Sequence, residues 1–344
     1  MFSNNLKRIR LSKGMTKKEL ALACAVSPMA ISFYESGQRK PTVDNALKIA
    51  RSLNVRFEDL MDDSEQKLCF NHGKYRKNSG LTKRIQELAT STIEEYFNRF
   101  FSVLSILGRN VISEPHKVQS IAATNNIEYD AQLLRKELNF PTTGAIENIT
   151  DHLESVGILT VLVDIDDRGF SGLNGMVDDY PYIAVNKNMT AERIRSTIIH
   201  ELAHIMFKED SINFADGEEK FATAVAGAFL MPFESLKKDF GMYRTKLAKD
   251  MVMTCKKYGI SMFLLIKRAY SCKLISESIE KSFYISLSRL GWRKNEPSRI
   301  KAESPRLLQQ LVLRALGEEE ISKERACELL NCTDNELDLM IIFS

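Results

Sequence analysis

The chain has 344 residues, of which 44% are hydrophobic and 27% are charged. This composition is typical of a soluble globular protein, and the length fits two or three domains. The longest uncharged apolar runs, such as residues 100–107, are far shorter than the roughly 20 residues of a membrane-spanning helix. These features exclude an integral membrane protein, and no membrane partner is expected.

Targeting and redox signals in the sequence favour a cytoplasmic location. Residues 1–8 lack the apolar segment of a signal peptide. The six cysteines are dispersed and include no Cys-x-x-Cys pair, so we expect reduced thiols rather than a disulfide framework. We therefore expect a cytoplasmic protein.

The net charge of +3 is unevenly distributed along the chain. Residues 1–60 contain eleven Lys and Arg against five Asp and Glu, a local charge of +6 that leaves −3 for the remainder. A basic segment on an otherwise nearly neutral chain favours a polyanionic partner. Double-stranded DNA is the partner that we expect for this segment.

The same sixty residues predict five short helices separated by turns. Thr16, with Glu19 three residues later, is the capping box of the second helix. Ser27 followed by Pro28 combines a helix cap with a proline at the first helical position, which predicts the start of the third helix. The second and third helices, joined by a turn at residues 25–26, have a helix-turn-helix layout.

This segment resembles the Cro/C1-type (XRE) helix-turn-helix family over nearly its full length. The resemblance is carried by LKRIR at 6–10, GMTKKELA at 14–21 and ISFYESGQRKPT at 31–42. It implies that the third helix lies in the major groove with its N-terminal side chains toward base edges. The DNA contacts that it implies, with the Lys and the Arg on phosphate, are Lys17, Ser27, Met29, Ser32 and Arg39.

Further features of this segment predict an ion pair within the domain and the way in which the domain binds DNA. Arg10 and Glu35 are expected to form a structural ion pair rather than DNA contacts. The third helix exposes residues such as Met29 and Phe33 instead of the Arg, Asn and Gln that read bases, so we expect modest sequence preference or a partial role in protein docking. Domains of this type commonly bind DNA as dimers, and a homodimer is therefore expected.

The remainder of the chain predicts a mainly α structure with a small β-sheet, an α+β fold. Helical periodicity over residues 81–107 predicts one long helix that acts as a rigid connector. Further helices are predicted at 121–138 and 146–156, and strands at 157–163, 170–177 and 181–186. The expected domains are a helix-turn-helix domain at 1–62, a helical linker at 63–116, a core domain at 117–235 that contains the motif described next, and a helical C-terminal region at 236–344.

An apolar stretch at residues 196–207 contains two histidines and one carboxylate. It has no Gly or Pro and follows the predicted cap Thr190, so it predicts a helix. His200 and His204 are four residues apart and lie on one helix face, where both imidazoles can reach one ion. Glu201 lies between them in sequence, which completes the H-E-x-x-H signature of zinc peptidases. Burying three polar groups among apolar residues is costly unless a partner such as a metal is present.

A second helix is predicted between Gly217 and Pro232. Its small residues Ala222, Ala226 and Gly227 are expected to let it approach the first helix closely. Either of its leading carboxylates, Glu218 or Glu219, could supply a third metal ligand. The two helices together resemble the ImmA/IrrE family of metallopeptidases, and the motif positions on the second helix are Glu219, Ala222, Val225, Ala226, Phe229, Leu230, Met231 and Pro232.

That resemblance implies that Glu219 is the third ligand. His200, His204 and Glu219 are then expected to hold Zn²⁺ and leave one coordination position for water, as in a catalytic site. Glu201 is expected to act as the general base. The implied function is that of a DNA-binding regulator with a zinc-dependent endopeptidase domain, which cleaves a repressor-type or antitoxin-type regulatory protein in a stress or mobile-element response.

Two other functions remain open from the sequence. The peptidase-like half could be a non-catalytic metal or ligand sensor that controls the DNA-binding half. The chain could also be an antitoxin that neutralises a partner through its helical C-terminal region. All four positions of the catalytic signature are intact, and a sensor does not need Glu201, which favours the enzyme.

Overall fold

A computed structural model describes residues 2–61, 68–73, 81–214, 217–242, 244–292 and 295–342. The chain divides into two compact units. Unit 1 consists of Met1–Ile112, Asp167–Phe170 and Arg306–Ser344, and unit 2 consists of Ser113–Asp166 and Ser171–Pro305. The predicted fold class, mainly helical with a small sheet, is confirmed. No helix among the described residues is long and apolar enough to cross a membrane.

The N-terminal part of unit 1 contains the five helices predicted from the sequence. Thr16 and Glu19 form the predicted capping box, in which the Thr16 side chain and backbone both bond to Glu19. The Ser27 hydroxyl accepts a hydrogen bond from the Ala30 N–H and begins the third helix. The bounds are α1 (Phe2–Ser12), α2 (Lys17–Ala23), α3 (Pro28–Glu35), α4 (Val43–Leu53) and α5 (Phe57–Met61).

The rest of unit 1 consists of one short strand, one long helix and the C-terminal helices. The long helix α6, predicted as a rigid connector, packs against α1 and α15 within the unit and buries one face with Phe97 and Phe100. The domain boundaries predicted from the sequence stay a prediction. The bounds are β1 (Phe70–His72), α6 (Lys83–Leu107), α15 (Leu307–Gly317), α16 (Lys323–Leu330) and α17 (Asp334–Ile342), with a 3-10 turn at Arg109–Val111.

Unit 2 contains three strands and eight helices among its described residues. The parallel pair β2–β4 and the antiparallel pair β3–β4 place β4 in the middle, and all seven residues of β4 are buried. The bounds are α7 (Ile127–Glu137), α8 (Ile149–Ser155), β2 (Leu159–Val163), β3 (Gly172–Val177), β4 (Tyr180–Asn186), α9 (Ala191–Met206), α10 (Glu218–Leu230), α11 (Phe233–Phe240), α12 (Lys249–Tyr258), α13 (Met262–Ser271) and α14 (Glu277–Arg289), with a 3-10 turn at Glu209–Ser211.

Two predicted helices of unit 2 begin later than expected. The helix predicted from residue 121 starts at Ile127, because the Asn126 side chain caps it through the Tyr129 N–H. Ile121 instead donates its N–H to the Met206 carbonyl and forms a β-bridge with Phe207. The backbone at this apolar residue is therefore extended rather than helical. The helix predicted from residue 146 begins at Ile149.

Candidate metal centre and DNA-binding face

The helix α9 runs through the core of unit 2 and carries both histidines. It begins at the predicted cap, since the Thr190 hydroxyl accepts a hydrogen bond from the Arg193 N–H. Arg195 fixes the helix by donating to the carbonyls of Ile146 at 2.7 Å and Glu147 at 3.0 Å. Burial lowers the pKa of Arg195 to about 10, so the guanidinium remains charged at neutral pH.

Three ligand atoms from α9 and α10 meet at one point. The His200 and His204 Nε2 atoms are 3.2 Å apart. Glu219 brings one carboxylate oxygen to 3.4 Å from His200 Nε2 and the other to 3.6 Å from His204 Nε2. This is the single such cluster of His, Cys, Asp and Glu among the described residues.

The spacing of these atoms fits a tetrahedral metal ion. Ligand atoms 2.0–2.1 Å from a tetrahedral zinc are separated by roughly 3.3 Å from one another, which is close to the three observed distances. His200 is buried, His204 is half-buried and Glu219 is exposed, so the cluster opens to solvent on its glutamate side. The residues therefore fit a metal with an accessible coordination position.

Thr223 connects the two ligand helices through a single hydroxyl. It lies four residues after Glu219 on α10, and its O–H donates to the Glu219 carbonyl at 2.8 Å. The same oxygen is 3.2 Å from His200 Nδ1. Because the one hydroxyl proton is already used, the oxygen can only accept from His200, which assigns the ring proton to Nδ1. The lone pair of His200 Nε2 therefore points toward the ligand cluster.

Glu201 lies on a different flank of α9 and is buried, with 7% of its surface exposed. Its Oε2 accepts a hydrogen bond from the Asn174 Nδ2 at 2.8 Å. Asn174 belongs to β3, so this strand orients the carboxylate. Neither Asn174 nor Thr223 was predicted from the sequence to belong to the site. The spacing of four from Glu219 is a signal that could have found Thr223.

Gly172 allows β3 to approach α9 closely enough for this contact. A Cβ atom at Gly172 would lie 2.8 Å from Thr197 Cγ2 and 3.1 Å from the Ala184 carbonyl oxygen. Residues two apart on a strand face the same side, so Gly172 and Asn174 both face α9. Because Gly172 has no side chain, the Asn174 amide can reach Glu201.

The prediction for the small residues of α10 is correct in part. Ala222 and Ala226 are buried, and α10 packs against α9. Gly227, however, faces α13 instead of α9, because the nearest atom to a Cβ there is Arg268 Cδ at 2.9 Å. The Arg268 guanidinium donates to the Met231 carbonyl and thereby holds the end of α10.

The other histidines and the cysteines do not join the cluster. His72, His116 and His152 contact Glu94, the Val156 carbonyl and the Leu138 carbonyl, respectively. All six cysteines are free thiols, as predicted. Burial raises the pKa of Cys255 and raises that of Cys272 to about 11, which keeps both thiols protonated at neutral pH.

The residues predicted to contact DNA lie on and around α3. Met29 and Arg39 are exposed, Ser32 is half-buried, and Ser27 uses its hydroxyl to cap α3. Lys17 is exposed but also lies near α3, with its ammonium 3.3 Å from the Ser32 hydroxyl and 3.6 Å from a Glu35 carboxylate oxygen.

The predicted structural ion pair between Arg10 and Glu35 is confirmed. Both side chains are buried, and the Arg10 Nη2 donates to Glu35 Oε2 at 3.1 Å. Arg10 also donates to the Met15 carbonyl at 2.6 Å. The pair therefore fixes α1 and α3 relative to each other and is not available for DNA.

Two regions of the chain match known families. Residues 6–60 match the helix-turn-helix family. Residues 153–270 match the IrrE N-terminal-like domain of peptidase family M78, a range that includes His200, Glu201, His204 and Glu219. Both family resemblances inferred from the sequence are confirmed.

The related proteins match the N-terminal segment. Control protein C.BamHI of Bacillus amyloliquefaciens is 38% identical over 63 residues, which is 18% of this chain and 78% of that protein. An uncharacterized HTH-type transcriptional regulator of Archaeoglobus fulgidus is 42% identical over 62 residues, 17% of this chain and 89% of that protein.

A solved structure aligns with more of the chain. The crystal structure of Bacillus thuringiensis PlcR in complex with the peptide PapR7 and DNA covers 96% of this chain and 94% of that one at 15% identity, with a TM-score of 0.17. A TM-score this low supports no structural conclusion. On the family matches, the chain belongs to the helix-turn-helix family through residues 6–60 and carries an IrrE N-terminal-like domain in residues 153–270.

Proposed function

We propose that this protein is a DNA-binding regulator whose unit 2 is a zinc-dependent endopeptidase. Its substrate is a regulatory protein of the repressor or antitoxin type, cleaved in a stress or mobile-element response. The observation that carries the enzymatic part is the cluster of His200, His204 and Glu219 ligand atoms, whose spacing fits a tetrahedral metal ion.

His200, His204 and Glu219 would hold the zinc ion. When bound, zinc supplies Lewis acidity, which polarises a carbonyl and makes water easier to deprotonate. Zinc is proposed over other metals because two imidazoles and one carboxylate with an open position are the ligand set of catalytic zinc in peptidases. Thr223 keeps the His200 ring in the tautomer that can ligate.

Glu201 is the proposed proton carrier. It directly follows His200, so on a helix it is turned about 100° from that ligand and is not aimed at the same point. Asn174 donates to one of its oxygens and thereby orients the carboxylate. In the proposed reaction Glu201 takes a proton from the attacking water and delivers it to the leaving amine, with no covalent intermediate on the protein.

The test of catalysis is Glu201→Gln, which keeps the size of the side chain but cannot accept a proton. We expect it to retain zinc and to lose cleavage by about 10²-fold or more. Because the substrate is unidentified, the readout is the set of new protein N-termini in cells that lack the chromosomal copy and express either the parent or the variant. Glu218→Gln changes the neighbouring carboxylate on α10 and is the matched control, with unchanged cleavage expected.

Two results separate the alternatives. Loss of zinc from Glu201→Gln would show that Glu201 is a ligand and that its role is misassigned. The same set of new N-termini with the parent and with Glu201→Gln, together with full function in the cell, would exclude proteolysis and favour the sensor.

The DNA-binding part is supported by the helix-turn-helix match and by the local charge of +6. We expect the full-length protein to bind duplex DNA with an affinity that falls as salt rises. Changing Lys17 and Arg39 together to Ala removes two phosphate contacts, which should lower the salt slope by about 2. A footprint over two half-sites about one helical turn apart is expected for the homodimer.

The matched control for this experiment is the double change Lys256→Ala and Lys281→Ala. Both lysines are exposed in unit 2, so the total charge changes equally without touching α2 or α3. Equal salt slopes for the parent and for the Lys17 and Arg39 variant would contradict the assigned contacts.

A further inference from the structure

Unit 1 contains a polar cleft of about 780 Å³ that the proposed function does not use. Its walls come from α1, the segment joining α4 to α5, the middle of α6, and α16 with the start of α17. Small-molecule sites in proteins commonly have volumes of roughly 300–1,000 Å³. The cleft is therefore large enough for a metabolite-sized ligand.

The positive and negative charges of the side chains that line the cleft do not cancel. Five cationic residues and four acidic ones line it. Each of the four acids already has a partner within unit 1. The pairings are Glu95 with Arg8, Asp59 with Arg56 and Arg325, Glu328 with the same two arginines, and Glu336 with the Thr333 N–H and hydroxyl.

Lys13 and Arg99 are the two cations left over. Among the described residues, no carboxylate lies within ion-pair distance of either one. Arg99 is half-buried, and its one hydrogen bond to the described residues is from Nη1 to the Leu329 carbonyl at 2.7 Å. Burial lowers the pKa of Arg99, yet a guanidinium stays charged at neutral pH. The cleft therefore contains a half-buried guanidinium that lies over the Tyr96 ring and whose other N–H groups form no hydrogen bond with the described residues.

A neutral polar group lies next to this charge. Asn98 also lines the cleft, and its side-chain amide forms no hydrogen bond with the described residues. The half-buried amide is therefore available to bond to a ligand in the cleft. A guanidinium, an ammonium and an amide facing one cavity provide the donors that recognise an oxyanion.

We propose that this cleft binds a small organic anion whose carboxylate or phosphate group is held by Arg99 and Lys13, with Asn98 as an additional hydrogen-bonding group. The site is separate from the metal centre, since every residue that lines it belongs to unit 1. It also does not overlap the residues assigned to DNA, because neither Lys17 nor Arg39 lines it.

The experiment titrates the purified full-length protein by calorimetry at constant ionic strength. AMP is the phosphate probe and succinate is the carboxylate probe. We expect saturable binding of at least one probe, about tenfold weaker in Arg99→Gln, which loses a charge-assisted contact. Lys13→Ala is the second variant, because Lys13 is exposed and its removal is not expected to disturb folding. Binding of AMP alone identifies a phosphate ester as the ligand class, and binding of succinate alone identifies a carboxylic acid.

Two controls exclude other sources of binding. Lys18→Ala removes an exposed lysine of α2 that does not line the cleft, and it should bind the probe as the parent does. The double change Lys17→Ala and Arg39→Ala should also leave binding intact. The proposal is wrong if neither probe saturates, if Lys13→Ala and Arg99→Gln bind like the parent, or if only the Lys17 and Arg39 variant loses binding.

Discussion

At the scale of single residues, the Thr223 hydroxyl helps to orient the ligands of the metal centre. Thr223 donates to the Glu219 backbone and accepts from His200, so it joins the helix of one ligand to the ring of another. Such outer contacts typically change metal affinity by about 10–100-fold when they are removed. The effect is expected because an unsupported imidazole can rotate or present its protonated nitrogen to the metal.

We therefore predict that Thr223→Val weakens zinc binding by about 10–100-fold, while Thr223→Ser binds nearly as the parent does. Valine matches threonine in shape but cannot accept from His200, whereas serine keeps the hydroxyl. Competition for zinc with a chelating dye measures the affinity without any substrate. If both variants bind zinc equally well, Thr223 does not set the orientation of His200.

At the scale of elements, the site depends on how closely β3 lies against α9. Gly172 makes this approach possible, and the atoms that would oppose a side chain there belong to Thr197 and to the Ala184 backbone. A backbone oxygen cannot rotate away as the end of a long side chain can. The contact between Asn174 and Glu201 therefore depends on the glycine two residues earlier.

Gly172→Ala is accordingly predicted to lower the free energy of unfolding by about 1–3 kcal/mol through overpacking. Adding Thr197→Ala removes the nearest opposing methyl group and should recover part of the loss, a positive coupling in a double-mutant cycle. Urea unfolding measures both effects. Gly317→Ala, where a Cβ meets no atom within 4 Å, is the control, and a loss equal to that of Gly172→Ala would contradict the packing explanation.

At the scale of the whole molecule, the metal is expected to stabilise one unit selectively. All three ligands belong to unit 2 and lie on two successive helices, α9 and α10. A ligand that binds only the folded state stabilises it in proportion to the logarithm of its concentration, by about 2.7 kcal/mol at a hundred times Kd. Unit 1 holds none of these ligands.

We predict that chelation accelerates amide hydrogen exchange in α9 and α10 but leaves α1 and α4 unchanged. Mass spectrometry of the zinc-loaded and chelated full-length protein gives the rates for each helix. His204→Ala should exchange like the chelated parent with or without chelator, because it has lost one of three ligands. Equal acceleration in both units would show that the stabilisation is not local to the metal helices.

The sequence by itself determined the features that depend on nearby residues. The caps at Thr16, Ser27 and Thr190 formed as predicted, because a cap joins a side chain to a backbone group three residues away. His200 and His204 share a helix face for the same reason, since a spacing of four fixes their relative direction. The two family resemblances followed from such local motifs.

Only the tertiary structure decided the features that join distant parts of the chain. Asn174 reaches Glu201 across 27 residues, and Thr223 reaches His200 across 23. The direction of Gly227 was missed because it depends on Arg268, a packing partner from another element. Periodicity along one segment predicts which of its faces is apolar. Which other element packs against that face depends on the close packing of the whole core.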